Sequence, residues 1–221
     1  MKYTYFVVIV FLSCNSNSST NQTSVPDSTE SRIFSTNDTI QKPKTIWVDR
    51  LNGAAYPLPD SIGNKPVSFY LDNAKVADIS KAFYRAHFRP ADNDSTIQLL
   101  SYVTINDSML RPFYRWCLDF TIMISDGALA EYPGEPALAY ATKFPEEFFS
   151  YMDSDKSGKR YKQWTEIIAY SGLSDYNKKE VEIQNELVNN MKTNCYMCSG
   201  ETKNRIAAFA QDIIKAIKLQ D

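Results

Sequence analysis

The hydrophobic and polar positions of this 221-residue chain change pattern at about residue 67. From there on, apolar residues recur every three or four positions, which is the spacing of amphipathic helices rather than of strands. The clearest helix is predicted over about 201–219, with apolar residues on one face: Ile206, Phe209, Ala210, Ile213 and Ile217. Further helices are predicted over about 72–88, from Ser95, from Asn106 or Asp107, over 136–144, from Pro145, over 159–171 and over 175–192.

This pattern predicts an all-α fold of seven or eight helices with no convincing pair of strands. We expect an irregular multi-helix bundle, because successive segments show no residue-level repeat. The alternative is an α-solenoid, since helix pairs recur at a roughly constant spacing along the chain.

The first fourteen residues, MKYTYFVVIVFLSC, have a different pattern. One lysine precedes an uncharged apolar run that is too short to span a bilayer, because ten helical residues rise only about 15 Å. Phe11-Leu12-Ser13-Cys14 resembles the lipobox of bacterial lipoproteins. The resemblance implies a signal peptide over 1–13, cleavage before Cys14 and acylation of Cys14, and hence a lipid-anchored protein of the bacterial cell envelope, facing the periplasm or the cell surface.

Residues 14–45 are rich in serine, threonine, asparagine and glutamine. Such a segment buries too little apolar surface to offset its ordering entropy, so we expect a disordered tether there. Residues 46–66 contain Trp47 and several other apolar residues together with prolines, and we expect them to form a transitional, irregular arm. The helical domain then covers 67–221.

Short motifs of Asp, then Ser or Thr, then an apolar residue or Thr resemble the O-glycosylation acceptor motif of Bacteroidota. They occur at Ser28, Thr39 and Ser61, which are the candidate acceptors. The same pattern at Ser95 and Ser108 is equally typical of a helix N-cap.

The charge balance limits the possible partners. Twenty-four basic and 26 acidic residues give a net charge of −2, so there is no basic footprint for nucleic acid and no polybasic patch for anionic lipid. We expect contact with the membrane through the lipid anchor only. With one histidine and seven glycines, we expect no metal site and no cofactor.

Two motifs have a possible chemistry of their own. Cys195 and Cys198 form a Cys-x-x-Cys pair, which in an exported protein is predicted to be a structural disulfide, with metal binding, redox activity and free thiols as alternatives. Cys117, on an apolar stripe, is then a buried thiol. Residues 153–158 resemble the start of an EF-hand loop, but Trp164 stands where the calcium site needs glutamate, so a polar connection is expected.

Arg111, Arg115 and Asp119 are spaced four residues apart on one predicted helix, opposite its apolar stripe. A solvated helix face with one internal ion pair is the expected arrangement. The alternative is an anion-binding groove that the two arginines form with Arg85 and Arg89.

The segment 126–136 is long for a connection between helices, is stiffened by prolines and contains Asp126, Glu131, Tyr132 and Glu135. Irregular segments on a rigid scaffold often carry function, so these residues are candidate binding residues. Their carboxylates are also the candidates for acid–base chemistry on a glycan.

No complete catalytic constellation is present in the sequence. We therefore expect a membrane-tethered helical binding or adaptor lipoprotein that recognises a protein or peptide partner in the cell envelope. The alternative is a glycan- or cell-wall-directed enzyme that uses the carboxylates of the 126–136 loop. An enzyme would place them in a deep cleft, whereas an adaptor would expose an apolar patch or a concave helical surface.

Overall fold

The structure is a computed structural model that describes residues 45–173 and 178–220. The predicted signal peptide, the lipidation site Cys14, the acceptors Ser28 and Thr39, and nearly all of the predicted tether lie outside these residues. Nine α-helices occur in the described part: α1 (Val67–Leu71), α2 (Asp78–Tyr84), α3 (Asp94–Ser101), α4 (Arg111–Ile124), α5 (Gly134–Lys143), α6 (Pro145–Asp153), α7 (Lys159–Ile167), α8 (Glu180–Asn194) and α9 (Gly200–Lys218). The prediction of an all-α multi-helix bundle is confirmed.

The helix predicted over 72–88 is much shorter in the structure, where only α2 forms. The Asn73 side chain accepts a hydrogen bond from the Lys75 amide at 2.9 Å, and this local turn replaces the predicted first helical turn. Helix α2 ends at Tyr84, and two residues later Ala86 has a φ of 58°, which is incompatible with continuation of the helix.

The predicted irregular arm is instead two antiparallel hairpins. Strand β1 (Ile46–Val48) pairs with β2 (Ala55–Pro57), and β3 (Ser61–Ile62) pairs with β4 (Lys65–Pro66). The expectation of no strand pair was therefore wrong, because strands of two or three residues are too short to show a period in the sequence. Ser61, a candidate acceptor, is exposed in β3.

The first hairpin is anchored to the helices by Trp47, which is 1% exposed. Its indole N–H donates to the Phe83 carbonyl at 3.1 Å, and its ring lies edge-on to Phe120, with centroids 5.0 Å apart. Asp49 accepts two hydrogen bonds from Arg89, at 2.7 and 3.1 Å. Residues 46–66 are thus docked on the helices through Trp47, Leu58 and Ile62, and they differ from the predicted arm in forming regular hairpins.

Helix α4 lies at the centre and packs against α2, α3 and α7. Its apolar stripe is buried as predicted, with Phe113 and Cys117 fully inaccessible and Trp116 stacked on Phe120. A second aromatic cluster joins α6, α7 and α9, where the rings of Phe148 and Phe209 lie 4.8 Å apart.

Helix α5 packs unusually closely on a π-helical segment, Ile168–Gly172, that continues α7. A Cβ atom at Gly134 would lie 2.3 Å from the Gly172 nitrogen, so only glycine fits at the start of α5. Among the residues that the structure describes, no helix is both long and apolar enough to cross a membrane.

Candidate functional site

A groove of about 480 Å³ opens beside the segment that the sequence singled out. One wall comes from α3 and the 3₁₀ turn Tyr102–Thr104 that follows it, and the other from the 3₁₀ turn Gly127–Glu131 and the start of α5. The lining residues are Ile97, Leu100, Ser101, Val103, Thr104, Glu131, Tyr132, Glu135, Pro136, Ala139 and Ser171.

Local interactions fix both walls. Asn93 caps α3 by accepting from the Thr96 amide at 3.2 Å, which satisfies one of the free N–H groups of the first turn. On the other side, buried Leu129 holds the 3₁₀ turn against the core. The Gly134 amide donates to the Ser171 hydroxyl at 3.1 Å, so the start of α5 is tied to the π-helical segment.

The floor of the groove is apolar and its rim is acidic. Leu100 and Val103 are buried beneath it, and Ile97 at its edge is 55% exposed. Glu131 and Glu135 are exposed on the opposite edge. Of the eleven lining residues, two are acidic and none is basic, so the groove presents negative charge to a ligand.

Tyr132 extends this acidic edge. Its hydroxyl donates to the carboxylate of Asp92. That hydrogen bond raises the pKa of Tyr132, and desolvation and the nearby charges of Asp92, Glu131 and Asp94 raise it further. The tyrosine therefore remains a neutral phenol at physiological pH.

The structure brings together three of the four candidate residues of the 126–136 segment. Glu131, Tyr132 and Glu135 line the same groove, whereas Asp126 does not. Asp126 is exposed, and its carboxylate lies 4.0 Å from a guanidinium nitrogen of Arg89. The sequence did not indicate the second wall, which α3 and its 3₁₀ turn supply.

Arg111 and Arg115 lie away from the groove, and the expected solvated helix face was wrong. Arg111 is buried, pairs with Glu147, and places its guanidinium 3.6 Å from the ring centroid of Phe144. Arg115 donates to the Tyr140 hydroxyl at 3.0 Å. Helices packed on both sides of α4 enclose these side chains.

The alternative of an anion-binding groove is also wrong, because the four arginines do not converge. Arg89 is engaged by Asp49, and Arg85 lines a different groove beside the first hairpin. Arg111 is already neutralised by Glu147.

Asp119 is the centre of a polar network that the sequence did not reveal. Its carboxylate accepts from the Trp164 indole at 2.6 Å, the Tyr151 hydroxyl at 2.8 Å and Arg160 Nε at 3.3 Å. Burial raises the pKa of Tyr151 well above its usual value, and the charge of Asp119 raises it further. Tyr151 is therefore a fixed donor, and the network connects α4, α6 and α7.

The cysteines follow the prediction. Cys195 and Cys198 form a disulfide with Cα atoms 5.0 Å apart, and Cys117 is a buried free thiol. Burial raises the pKa of the Cys117 thiol, which keeps it protonated and unreactive.

The EF-hand-like segment is a helix-capping turn, as expected for a polar connection. Asp155 accepts from the amides of Ser157 and Arg160 at 3.0 and 2.9 Å, and these bonds lower the pKa of Asp155 to about 2. Asp153 instead pairs with Arg205 of α9. Over residues 45–173 and 178–220, no cluster of three metal-ligating side chains occurs.

The groove presents carboxylate and hydroxyl groups. Its two serine hydroxyls are engaged locally: Ser101 donates to the Gln98 carbonyl at 2.8 Å, and Ser171 accepts from the Gly134 amide. None of its lining residues is a histidine or cysteine, so Glu131 and Glu135 are the lining groups that could act as a base or nucleophile. Comparison of the chain with protein families, with curated proteins and with solved structures gave no match.

Proposed function

We propose that the protein is a membrane-tethered helical adaptor lipoprotein that binds a protein or peptide partner of the cell envelope in the groove between α3 and α5. The observation that carries this proposal is the open, apolar-floored groove with an acidic rim. The lipid anchor rests on the lipobox at Cys14, which lies outside the described residues.

The groove favours a partner segment with apolar side chains next to basic ones. Ile97 at the edge, with Pro136 and Ala139 on the opposite wall, offers accessible apolar surface, whereas Leu100 and Val103 support the floor from beneath. Glu131 and Glu135 attract lysine or arginine on the partner. Because both glutamates are exposed, they affect association rate and selectivity more than affinity.

The second candidate is the glycan- or cell-wall-directed enzyme. One observation favours it, namely that Glu131 and Glu135 line the same groove, as a pair of catalytic carboxylates would. Two observations oppose it. Both glutamates are solvent-exposed, and Asp126, the third carboxylate of the segment, lies outside the groove beside Arg89.

The test begins with a photo-crosslinking residue placed at Ala139, which is exposed in the groove, in the native, lipidated protein in cells. The matched control carries the same residue at Ser150, which is exposed on α6 and does not line the groove. We expect one envelope protein to be crosslinked from position 139 and not from position 150.

The crosslinked protein is then purified and its binding measured with three chains. Ala139→Trp fills the groove and is expected to abolish binding. The double variant Glu131→Gln, Glu135→Gln keeps the shape and is expected to weaken binding by less than about tenfold, with a smaller salt dependence. Equal crosslinking from both positions would reject the groove as the binding site. Turnover of a cell-wall glycan that disappears in the Gln variant would reject the adaptor in favour of the enzyme.

The anchor is tested separately by intact-mass analysis of the native protein, with Cys14→Ala as the control. A mass increase from acyl chains that is lost in Cys14→Ala is expected. An unmodified native chain would refute the anchor without affecting the groove.

A further inference from the structure

The connection between α8 and α9 is a short, tightly held tip. Cys195 is buried at its base and forms the disulfide with Cys198, whose amide also donates to the Cys195 carbonyl at 3.1 Å. Lys203 on α9 donates from Nζ to the Tyr196 carbonyl at 3.2 Å. The backbone of the tip is thus held by a covalent bond and two hydrogen bonds.

Two large side chains project from this tip into solvent. Tyr196 is 76% exposed and Met197 is 82% exposed, and they are adjacent in the chain. A polar turn would connect the two helices equally well, so a rigid turn that presents apolar groups costs solubility without helping the fold. Such a feature indicates a surface that receives these side chains.

The shape and chemistry of the tip fit a lipid bilayer better than a protein. The tip presents two large exposed residues, far fewer than the roughly 20 that one partner contributes to a stable protein interface. Tyrosine is favoured at membrane–water interfaces because its ring is apolar and its hydroxyl stays hydrated. Methionine is flexible and adapts to acyl chains.

The polar residues beside the tip suit the same surface. Lys192 lies in the last turn of α8, where its long side chain can extend to lipid phosphates, whereas the Lys203 ammonium on α9 is directed to the Tyr196 carbonyl. Glu201 is the one acidic residue in the first turn of α9. Two lysines do not make a polybasic patch, so we expect most of the binding free energy to come from insertion of the apolar side chains and only a minor part from the charge of the lipid headgroups.

We propose that Tyr196 and Met197 insert into the interfacial region of the phospholipid bilayer to which the chain is anchored. This inference rests on the lipid anchor of the proposed function and departs from the expectation of contact through the lipid alone. For a flexible coil of the length that separates Cys14 from Thr45, the root-mean-square span is about 30 Å. The tip therefore meets the bilayer at an effective concentration near the millimolar range, where a weak affinity suffices.

The experiment compares two single tryptophan additions in the full, lipidated chain. Tyr196→Trp places a fluorophore at the tip, and Val181→Trp places one at the other end of α8, where Val181 is 65% exposed. Both are reconstituted in phosphatidylcholine–phosphatidylglycerol vesicles with and without brominated acyl chains. Wild-type protein supplies the background from the three native tryptophans.

We expect brominated lipid to quench the added emission of Tyr196→Trp at least threefold and to leave that of Val181→Trp unchanged. Equal quenching of both, or of neither, overturns the proposal. Crosslinking of the tip to an envelope protein together with absence of quenching would assign it to a protein contact and overturn it as well.

A second arm measures vesicle binding of the full chain with Cys14→Ala. The double variant Tyr196→Ser, Met197→Ser is expected to bind about tenfold more weakly, which corresponds to about 55 Å² of apolar surface returned to water. Unchanged binding counts against insertion. In a third preparation, an N-terminal His tag and a nickel-chelating lipid hold the protein on the vesicle. Quenching in this preparation does not depend on acylation at Cys14, so it tests insertion of the tip separately from the proposed lipid anchor.

Discussion

Replacement of Asp119 by alanine is expected to be among the most destabilising single changes in the helical core. The carboxylate accepts hydrogen bonds from Trp164, Tyr151 and Arg160, and a hydrogen bond to a charged group contributes about 1.5–3 kcal/mol. Loss of one partner of a buried ion pair costs about 3–5 kcal/mol. Because the side chains of Asp119 and Arg160 are each about a quarter exposed, at 24% and 25%, we expect the lower end, about 3 kcal/mol.

The free energy of unfolding is measured by urea titration, followed by circular dichroism at constant pH. Asp119→Asn keeps one acceptor and should lose about half as much as Asp119→Ala. The matched control is Asp78→Ala, which removes a fully exposed carboxylate 3.6 Å from Lys81 and should leave the free energy of unfolding nearly unchanged. A loss below about 1 kcal/mol for Asp119→Ala would refute the reasoning that this carboxylate holds three helices together.

Two further predictions concern the first hairpin and the buried thiol. Hydrogen bonds from Arg89 lower the pKa of Asp49, so the stability that this carboxylate contributes is present above its unfolded pKa of about 4 and is lost as pH falls through the lower folded value. The difference in urea midpoint between wild type and Asp49→Asn should therefore stay constant above about pH 5 and shrink as pH falls below it, and a pH-independent difference would contradict this. Burial should protect the Cys117 thiol from reaction. In a Cys14→Ala background, Ellman's reagent should therefore label no thiol in the folded protein and one thiol in urea. One labelled thiol under native conditions would contradict the burial of Cys117.

Helix α4 shows how far the sequence could predict the fold. Its apolar stripe was evident from spacing, and the structure buries that stripe. Its polar face was expected to be solvated, yet Arg111 is buried as well. The spacing of residues shows which of them share a helix face, but not which faces are covered by other helices. The groups that stabilise the buried charge of Arg111 are Glu147 and the ring of Phe144, which are distant in sequence.

The groove shows the same division. Its proline- and acid-rich wall was detectable, because a long irregular segment interrupts the helical period there. Ile97 and Val103 read as ordinary helix residues, and only the packing of the 3₁₀ turn Tyr102–Thr104 against α5 gives them a shared cavity with Glu131. The position of Asp126 beside Arg89 was equally beyond reach, because Arg89 is oriented by Asp49 on the first hairpin.

The contact between Gly134 and Gly172 bears on the choice between adaptor and enzyme. It brings two backbone segments so close that a single methyl group would separate them, and it joins the start of α5 to the π-helical segment. One wall of the groove is thus rigid in the unbound protein. A rigid, open groove reduces the ordering cost of capturing a peptide, which helps an adaptor. Glycan hydrolysis gains from a site that closes and excludes water, and in such a closure the start of α5 would have to move together with the π-helical segment.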